Sequence, residues 1–321
     1  MIVAHITRQL QWGVGKIIST LCTHHKDFSP IVIVRESSQL DCWIKKLATI
    51  PFFIEKSDKG LIKRVSKVDI INLHCYDDDI SLYETLMLAH KPIVITLHFA
   101  IAFPKVSCLI ICPSKWVQSM QNPSNKCVAI PNAIDLEKYQ PVMKRRRRKK
   151  VIIARVCRMN KCDEFFWPTM IDVLNERKTT ELWIIGEYGF FTRRIKMLGF
   201  CEEISEVLSK VDIVVHTPVP KSGAMDLLPM EVMAMKIAAI FSSVECIKAS
   251  IRKSSNVLYV EPGGSKALKN KLLRLIDDHN FRFKIAEKGF QIAIKKFDAT
   301  RMVKQYEDAY QRIMRKYNQK N

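Results

Sequence analysis

"VDIVVHTPVPKSGAMDLLPMEVMAM", residues 211–235, holds the grammar of the whole chain in 25 residues. VDIVVHT is an apolar run without alternation, the pattern of a strand covered on both faces. A loop with Pro and Gly follows, then an apolar helical segment over about 227–236. Gly223 permits a turn, Asp226 is a candidate N-cap, and Pro229 fits the first helical turn, where its missing N–H is harmless. A helix therefore starts just beyond the end of a buried strand and turns its unpaired amides toward an anion. Glu231, one turn further in, either complements the helix dipole or accepts hydrogen bonds from vicinal hydroxyls such as those of a ribose. Amides for phosphate and a carboxylate for ribose are what a nucleoside diphosphate needs.

The same alternation extends in both directions. IVAHIT, SPIVIVR, VDIINLH, KPIVITLH, CLIICPS and KCVAIPN read as strands before residue 140, separated by polar or helix-patterned sequence. After KRRRRKK (144–150) the pattern restarts with VIIARV, ELWIIG, VDIVVHT, AAIFSS and NVLYV. Strands alternating with helices predict an α/β fold of two Rossmann-like, doubly wound domains facing a cleft. The expected divisions are 1–140, a basic linker over 141–150, a second domain over 151–297, and a closing helix over 298–321. That helix places Met302, Tyr306, Tyr310 and Ile313 on one stripe and needs a surface to cover, with the first domain as the candidate.

The 321 residues carry a formal charge of +20, and seven consecutive cations at 144–150 supply a third of it. That run is either a solvated linker or a patch for anionic lipid or another polyanion. No helix-turn-helix, zinc-finger or RNP pattern accompanies the charge, so specific nucleic-acid readout is not expected. No apolar run reaches the roughly 18 residues of a membrane span, and the N-terminus lacks the features of a secretory signal. Ten scattered cysteines without metal-ligand spacing are expected to be reduced, buried thiols in a cytoplasmic protein.

Other chemistry-bearing residues fall after strands. In QLQWGVGKIIST, Gly13 and Gly15 allow a tight turn with close backbone approach, although neither the Walker A nor the G-x-G-x-x-G spacing is met. His98 ends the strand VITLH, and His74 stands in the comparable place one strand earlier. Asp77, Asp78 and Asp79 are either a solvated loop or part of a metal site. Arg155, Arg158 and Lys161 are either surface charge or the cations of a diphosphate site. Gly186 and Gly189 offer backbone amides to a flat ligand edge.

As a set, these motifs resemble the GT-B glycosyltransferases, specifically the retaining family 4 (glycosyl transferases group 1). AIPNAIDLEKYQP is similar to that family's passage between domains, and ARVCRMNKCDEFF to its Gly-Arg-Leu…Lys-Gly stretch. ELWIIGEYG resembles its Leu-x-Ile-x-Gly-x-Gly stretch, and GAMDLLPMEVMAM its Glu-x7-Glu region. The resemblance implies a UDP-, GDP- or ADP-linked sugar donor held mainly by the second domain. Arg155 and Lys161 would neutralise the diphosphate, Leu227 and Leu228 would give it their amides, and Glu231 would hold the ribose. Gly15 would approach the phosphates and His98 would sit near the donor sugar. It further implies hexosyl transfer with retention of configuration, without metal or cofactor. The acceptor, bound mainly by the first domain, would be a glycan, a lipid or a small molecule.

This sequence departs from the family pattern in places. Gly223 occupies the position of the first Glu of Glu-x7-Glu, with Asp226 as the substitute or merely a cap. Lys161 lies one residue further from Arg155 than is usual, Cys162 replaces a common Gly, and the stretch after His98 is short. These changes keep open a degenerate relative that binds nucleotide or glycan without transfer. The basic surface and the segment CWIKKLATIPFF suggest a peripheral contact with the cytosolic face of a membrane.

Overall fold

The computed structural model describes residues 1–10, 12–36, 45–75, 79–141, 150–156, 164–186, 189, 192–218, 227–251 and 257–319. They form two compact units, Met1–Ala133 with Ala299–Asn321, and Ile134–Asp298. The chain enters and leaves the second unit side by side, where the Ile134 N–H donates to the Phe297 carbonyl at 3.0 Å and Ile134 bridges to Asp298.

The first unit is built on seven parallel strands: β1 (Ile2–Thr7), β2 (Ser29–Val34), β3 (Phe52–Ile54), β4 (Ile70–Cys75), β5 (Ile93–Leu97), β6 (Leu109–Cys112) and β7 (Lys126–Ala129). Their order in the sheet is β3-β2-β1-β4-β5-β6-β7. Helices α1 (Trp12–His24), α2 (Asp58–Val65), α3 (Ile80–Met87) and α4 (Lys115–Ser119) connect them. Serine caps set two helix starts: Ser57 Oγ accepts from the Gly60 N–H and Ser114 Oγ from the Val117 N–H, each at 3.1 Å.

The central strands show why their runs lack alternation of polarity. Ala4, Ile6, Ile71, Leu73, Ile95 and Leu97 project to one face and pack with Leu61, Val65, Leu82 and Leu86 of α2 and α3. The opposite face carries His5, Asn72, His74 and Thr96, all buried. This polar layer is roofed by Phe28 and by the last helix of the chain. Asn72 Nδ2 donates to Tyr310 Oη at 2.6 Å, and Thr96 Oγ1 donates to Asn72 Oδ1 at 2.8 Å. Glu307, 2% exposed, accepts from the N–H groups of Lys26 and Asp27 at 2.7 and 3.0 Å.

The second unit repeats the plan with six parallel strands in the order β10-β9-β8-β11-β12-β13. They are β8 (Val151–Val156), β9 (Thr180–Ile185), β10 (Ile195–Met197), β11 (Ile213–His216), β12 (Ala238–Ser242) and β13 (Leu258–Val260). The helices are α5 (Phe166–Glu176), α6 (Ile204–Leu208), α7 (Leu228–Ala234), α8 (Glu245–Ser250), α9 (Ser265–Asp277) and α10 (His279–Lys296), before α11 (Ala299–Asn318) returns to the first unit. Ile153, Leu182, Ile184, Ile213, Val215 and Ile240 meet Phe166, Met170, Leu272 and Leu275 in its core. Among the described residues no helix is long and apolar enough to cross a membrane.

Several expectations need correction. Gly13 and Gly15 do not form a turn; α1 begins at Trp12, so both are helical, and Gly15 is buried. In the segment CWIKKLATIPFF, residues 42–44 lie outside the described residues, while Phe52 and Phe53 are half-buried, on a strand paired with β2 and packed against core clusters of the first unit. The N-cap position of α7 belongs to Leu227, one residue after Asp226, and no side chain caps it. Of the seven described cysteines, all free, Cys108, Cys127 and Cys201 are only half-buried.

Candidate functional site

In the second unit the strand order reverses between β8 and β11, and open α/β sheets bind ligands outside the carboxyl ends of strands at such a point. Arg155 is the fifth residue of β8 and is 2% exposed. Its guanidinium stacks on the Phe166 ring, 4.0 Å from the centroid, so the first residue of α5 fixes the plane of the cation.

The start of α7 follows the end of β11. The Leu227 carbonyl accepts from the Met230 and Glu231 N–H groups at 3.0 Å each. The N–H groups of Leu227 and Leu228 make no hydrogen bond among the described residues, as expected of a helix start. Glu231 is 1% exposed, and its Oε1 accepts a hydrogen bond from the phenol of Tyr139 at 2.9 Å. Burial, reinforced by the Glu231 carboxylate, keeps that phenol protonated far above its ordinary range. Tyr139 comes from AIPNAIDLEKYQP, a partner 92 residues from Glu231 that its sequence position did not reveal. Two buried hydroxyls, Thr217 Oγ1 after β11 and Ser243 Oγ after β12, have no hydrogen-bond partner among the described residues. A desolvated hydroxyl left unpaired is unfavourable, so both hydroxyls have hydrogen-bonding capacity that a ligand or water would use.

Gly186 follows β9 with φ 106°, a left-handed conformation that favours glycine. Its N–H donates to the Gly199 carbonyl at 2.7 Å, so that amide is engaged within the protein and does not meet a ligand edge as expected. At Gly189 an added Cβ would lie 2.3 Å from Met197 Sδ, so a larger residue there needs that thioether to shift.

In the first unit, His98 follows β5 and is 8% exposed. Its Nε2 lies 2.9 Å from His74 Nδ1, and His74 Nε2 lies 2.9 Å from His5 Nδ1. Burial pushes His98 and His5 down to about 3; His74 is also held well below the usual imidazole range, by burial first and then by its two histidine neighbours. Asp79 is buried and ion-paired with Arg8, so it is not part of a solvated loop. Among the described residues no group of three or more His, Cys, Asp or Glu is arranged to hold a metal ion. A cavity of about 340 Å³ opens at the ends of β1, β2 and β3, lined by Arg8, Arg35, Glu36, Lys56, Asp58 and Thr85 among others.

Lys161, Asp226, Gly223, Arg158, Asp77 and Asp78 lie outside the described residues, as does the basic run apart from Lys150, whose Nζ pairs with Glu181 Oε1 at 2.5 Å.

Residues 148–278, which span Arg155 and Glu231, match the family model described as "Glycosyl transferases group 1". A glycosyltransferase from Rickettsia africae superposes with a TM-score of 0.79 at 15% identity, covering 98% of each chain. The fold is that of the GT-B glycosyltransferases. Anabaena HepE, crystallised with UDP and glucose, superposes with a TM-score of 0.78 at 16% identity, covering 96% of this chain and 98% of its own. Sucrose-phosphate synthase from Thermosynechococcus elongatus gives 0.71 at 14%, with 97% and 98% covered. At these identities the likeness establishes the fold alone. No curated protein matches the sequence.

Proposed function

We propose that the chain is a retaining, metal-independent glycosyltransferase that takes a hexose from a nucleoside-diphosphate donor. The observation that carries this reading is that the matched segment places a buried arginine near the end of β8 and a buried carboxylate in the first turn of α7, the helix that follows the neighbouring strand β11. Arg155 and Lys161 neutralise the diphosphate, and the Leu227 and Leu228 amides add hydrogen bonds that strengthen as the leaving group gains charge. Glu231, its carboxylate oriented by Tyr139, accepts from the ribose hydroxyls. Thr217 and Ser243 supply further hydroxyls, and Asp226 takes the place left by Gly223. In the first unit, His98 is the proposed contact for a sugar.

The acceptor belongs to the first unit. The cavity at the ends of β1, β2 and β3 is offered as its site; Arg8 and Arg35 are already paired there with Asp79 and Asp58, so a glycan, lipid or small-molecule acceptor would meet hydrogen-bonding groups of both signs. The 144–150 run adds attraction to an anionic membrane surface.

The second reading, a binder without transfer, is favoured by Gly223 in place of the family's first glutamate. Thermal unfolding with UDP, GDP, ADP and their sugar conjugates, with and without Mg2+, tests the donor site. A ligand at 100 times its dissociation constant stabilises by about 2.7 kcal/mol, so one base class should raise the midpoint without metal. Absence of a shift with every nucleotide refutes it, while binding without sugar transfer selects the second reading. The anomeric configuration of the product, read by NMR, tests retention.

A further inference from the structure

The three buried histidines of the first unit sit in a diagonal that follows from strand register. His5 on β1 pairs with Asn72 on β4, and His74 on β4 pairs with Thr96 on β5. His74 is therefore two residues beyond the partner of His5, and His98 two residues beyond the partner of His74. Two residues restore the same face of a parallel sheet and advance one pleat repeat. The imidazoles thus climb one face of three adjacent strands, from the middle of β1 to the carboxyl end of β5. The N···N separations of 2.9 Å at both steps make this a continuous hydrogen-bonded chain.

A chain of imidazoles has a direction, because each link needs one N–H and one bare nitrogen. His5 and His74 have no exposed surface, and His5 Nε2 is buried with no hydrogen-bond partner among the described residues. If the chain ran from His98 toward His5, that terminal nitrogen would carry a desolvated N–H with no acceptor. Run the other way, it is only a bare lone pair, the lesser penalty, since orphaned buried donors are the rarer defect. A cationic His74 donating at both nitrogens is disfavoured by its burial and by its imidazole neighbours. Among the described residues no carboxylate hydrogen-bonds to any of the three.

We propose that His5 and His74 are positioning residues that fix His98 as its Nδ1–H tautomer, presenting to the ligand a hydrogen-bond donor and not a base. His5 Nδ1–H donates to His74 Nε2, and His74 Nδ1–H donates to His98 Nε2. The remaining proton of His98 is then on Nδ1, which makes no hydrogen bond among the described residues and belongs to the one histidine of the three that retains exposure. The ligand atom it meets is an acceptor oxygen, such as a sugar hydroxyl or ring oxygen or a phosphate oxygen. This assignment rests on the reading that a sugar lies against His98, but the tautomer is measurable without any substrate.

The experiment is a long-range 1H–15N correlation on the full chain labelled with 15N-histidine, at neutral pH. The expected spectrum shows protonated Nδ1 and bare Nε2 for His5, His74 and His98. His74→Asn, whose amide N–H lies near the position of the lost Nδ1–H, keeps His98 in that tautomer. His74→Leu, with no donor, lets His98 move its proton to Nε2, and turnover of nucleotide sugar falls about 10-fold or more, as with other lost orienting partners. A wild-type His98 protonated at Nε2, or a doubly protonated His74, overturns the proposal even if neither variant folds. Expected tautomers in a chain that turns over no nucleotide sugar leave the positioning intact and reject the glycosyltransferase reading. Turnover with the wrong tautomer does the reverse.

Discussion

Lowering the pH from 7 to 5 should destabilise the first unit steeply, because it holds three imidazoles neutral in its sheet. His5 and His98 are depressed to about 3 by burial, with His25 adding to the effect on His5, and His74 lies well below the ordinary value of 6.5. Below pH 6.5 the unfolded chain takes up protons at these positions and the folded chain does not. The stability is therefore fully present above pH 6.5 and is lost as pH falls toward 3. Each such histidine withdraws about 1.4 kcal/mol per pH unit in that window, or about 2 kcal/mol by pH 5. Three together withdraw about 6 kcal/mol, against a typical domain stability of about 5–15 kcal/mol. The carboxylates with depressed values, Glu181, Asp277 and Glu287, lose their contribution only below their ordinary values of 4.5 and 3.8, beneath the pH 7–5 range measured. Urea unfolding followed by circular dichroism at pH 7, 6 and 5 measures the loss, and His74→Asn should remove about a third of the slope. Equal midpoints at pH 7 and 5, or an unchanged slope in His74→Asn, would refute the reasoning.

Tyr139→Phe removes one buried donor from Glu231 and should lower the stability of the second unit by about 1–3 kcal/mol, read from its urea midpoint. Arg155→Lys retains the charge but loses the flat stack on Phe166; a loss of about 1 kcal/mol is expected, with nucleotide affinity falling less than in Arg155→Ala. Glu307→Ala leaves the Lys26 and Asp27 amides without their acceptor and should lower the stability of the first unit by about 2 kcal/mol, with faster amide exchange at both residues.

The long strands and their parallel arrangement were legible because uninterrupted Val/Ile runs encode two-sided burial, as in SPIVIV and IVITL. β3 and β10 were not, since each is three residues long and neither FFI nor IKM was read within a longer strand run, as β13 was within NVLYV. Gly13 and Gly15 misled because glycine punctuates turns more often than it opens helices, yet α1 starts before both. Glu231 was legible as a carboxylate beyond a helix start, while its phenolic partner was not, because no local pattern signals a contact across 92 residues. The histidine chain shows the same limit: His74 and His98 look like repeated strand-end accidents until strand order brings them beside His5.

The measurement that bears most directly on the account is release of nucleoside diphosphate from UDP-, GDP- and ADP-hexoses by the wild-type chain and by Glu231→Ala, without added metal. The account expects release from one base class by the wild type, reduced about 10- to 100-fold in Glu231→Ala at donor concentrations below saturation, the order of loss when a hydrogen bond to a charged group is removed from the binding of the ribose. Equal rates in the two proteins would contradict it, as would no release by the wild type from any donor.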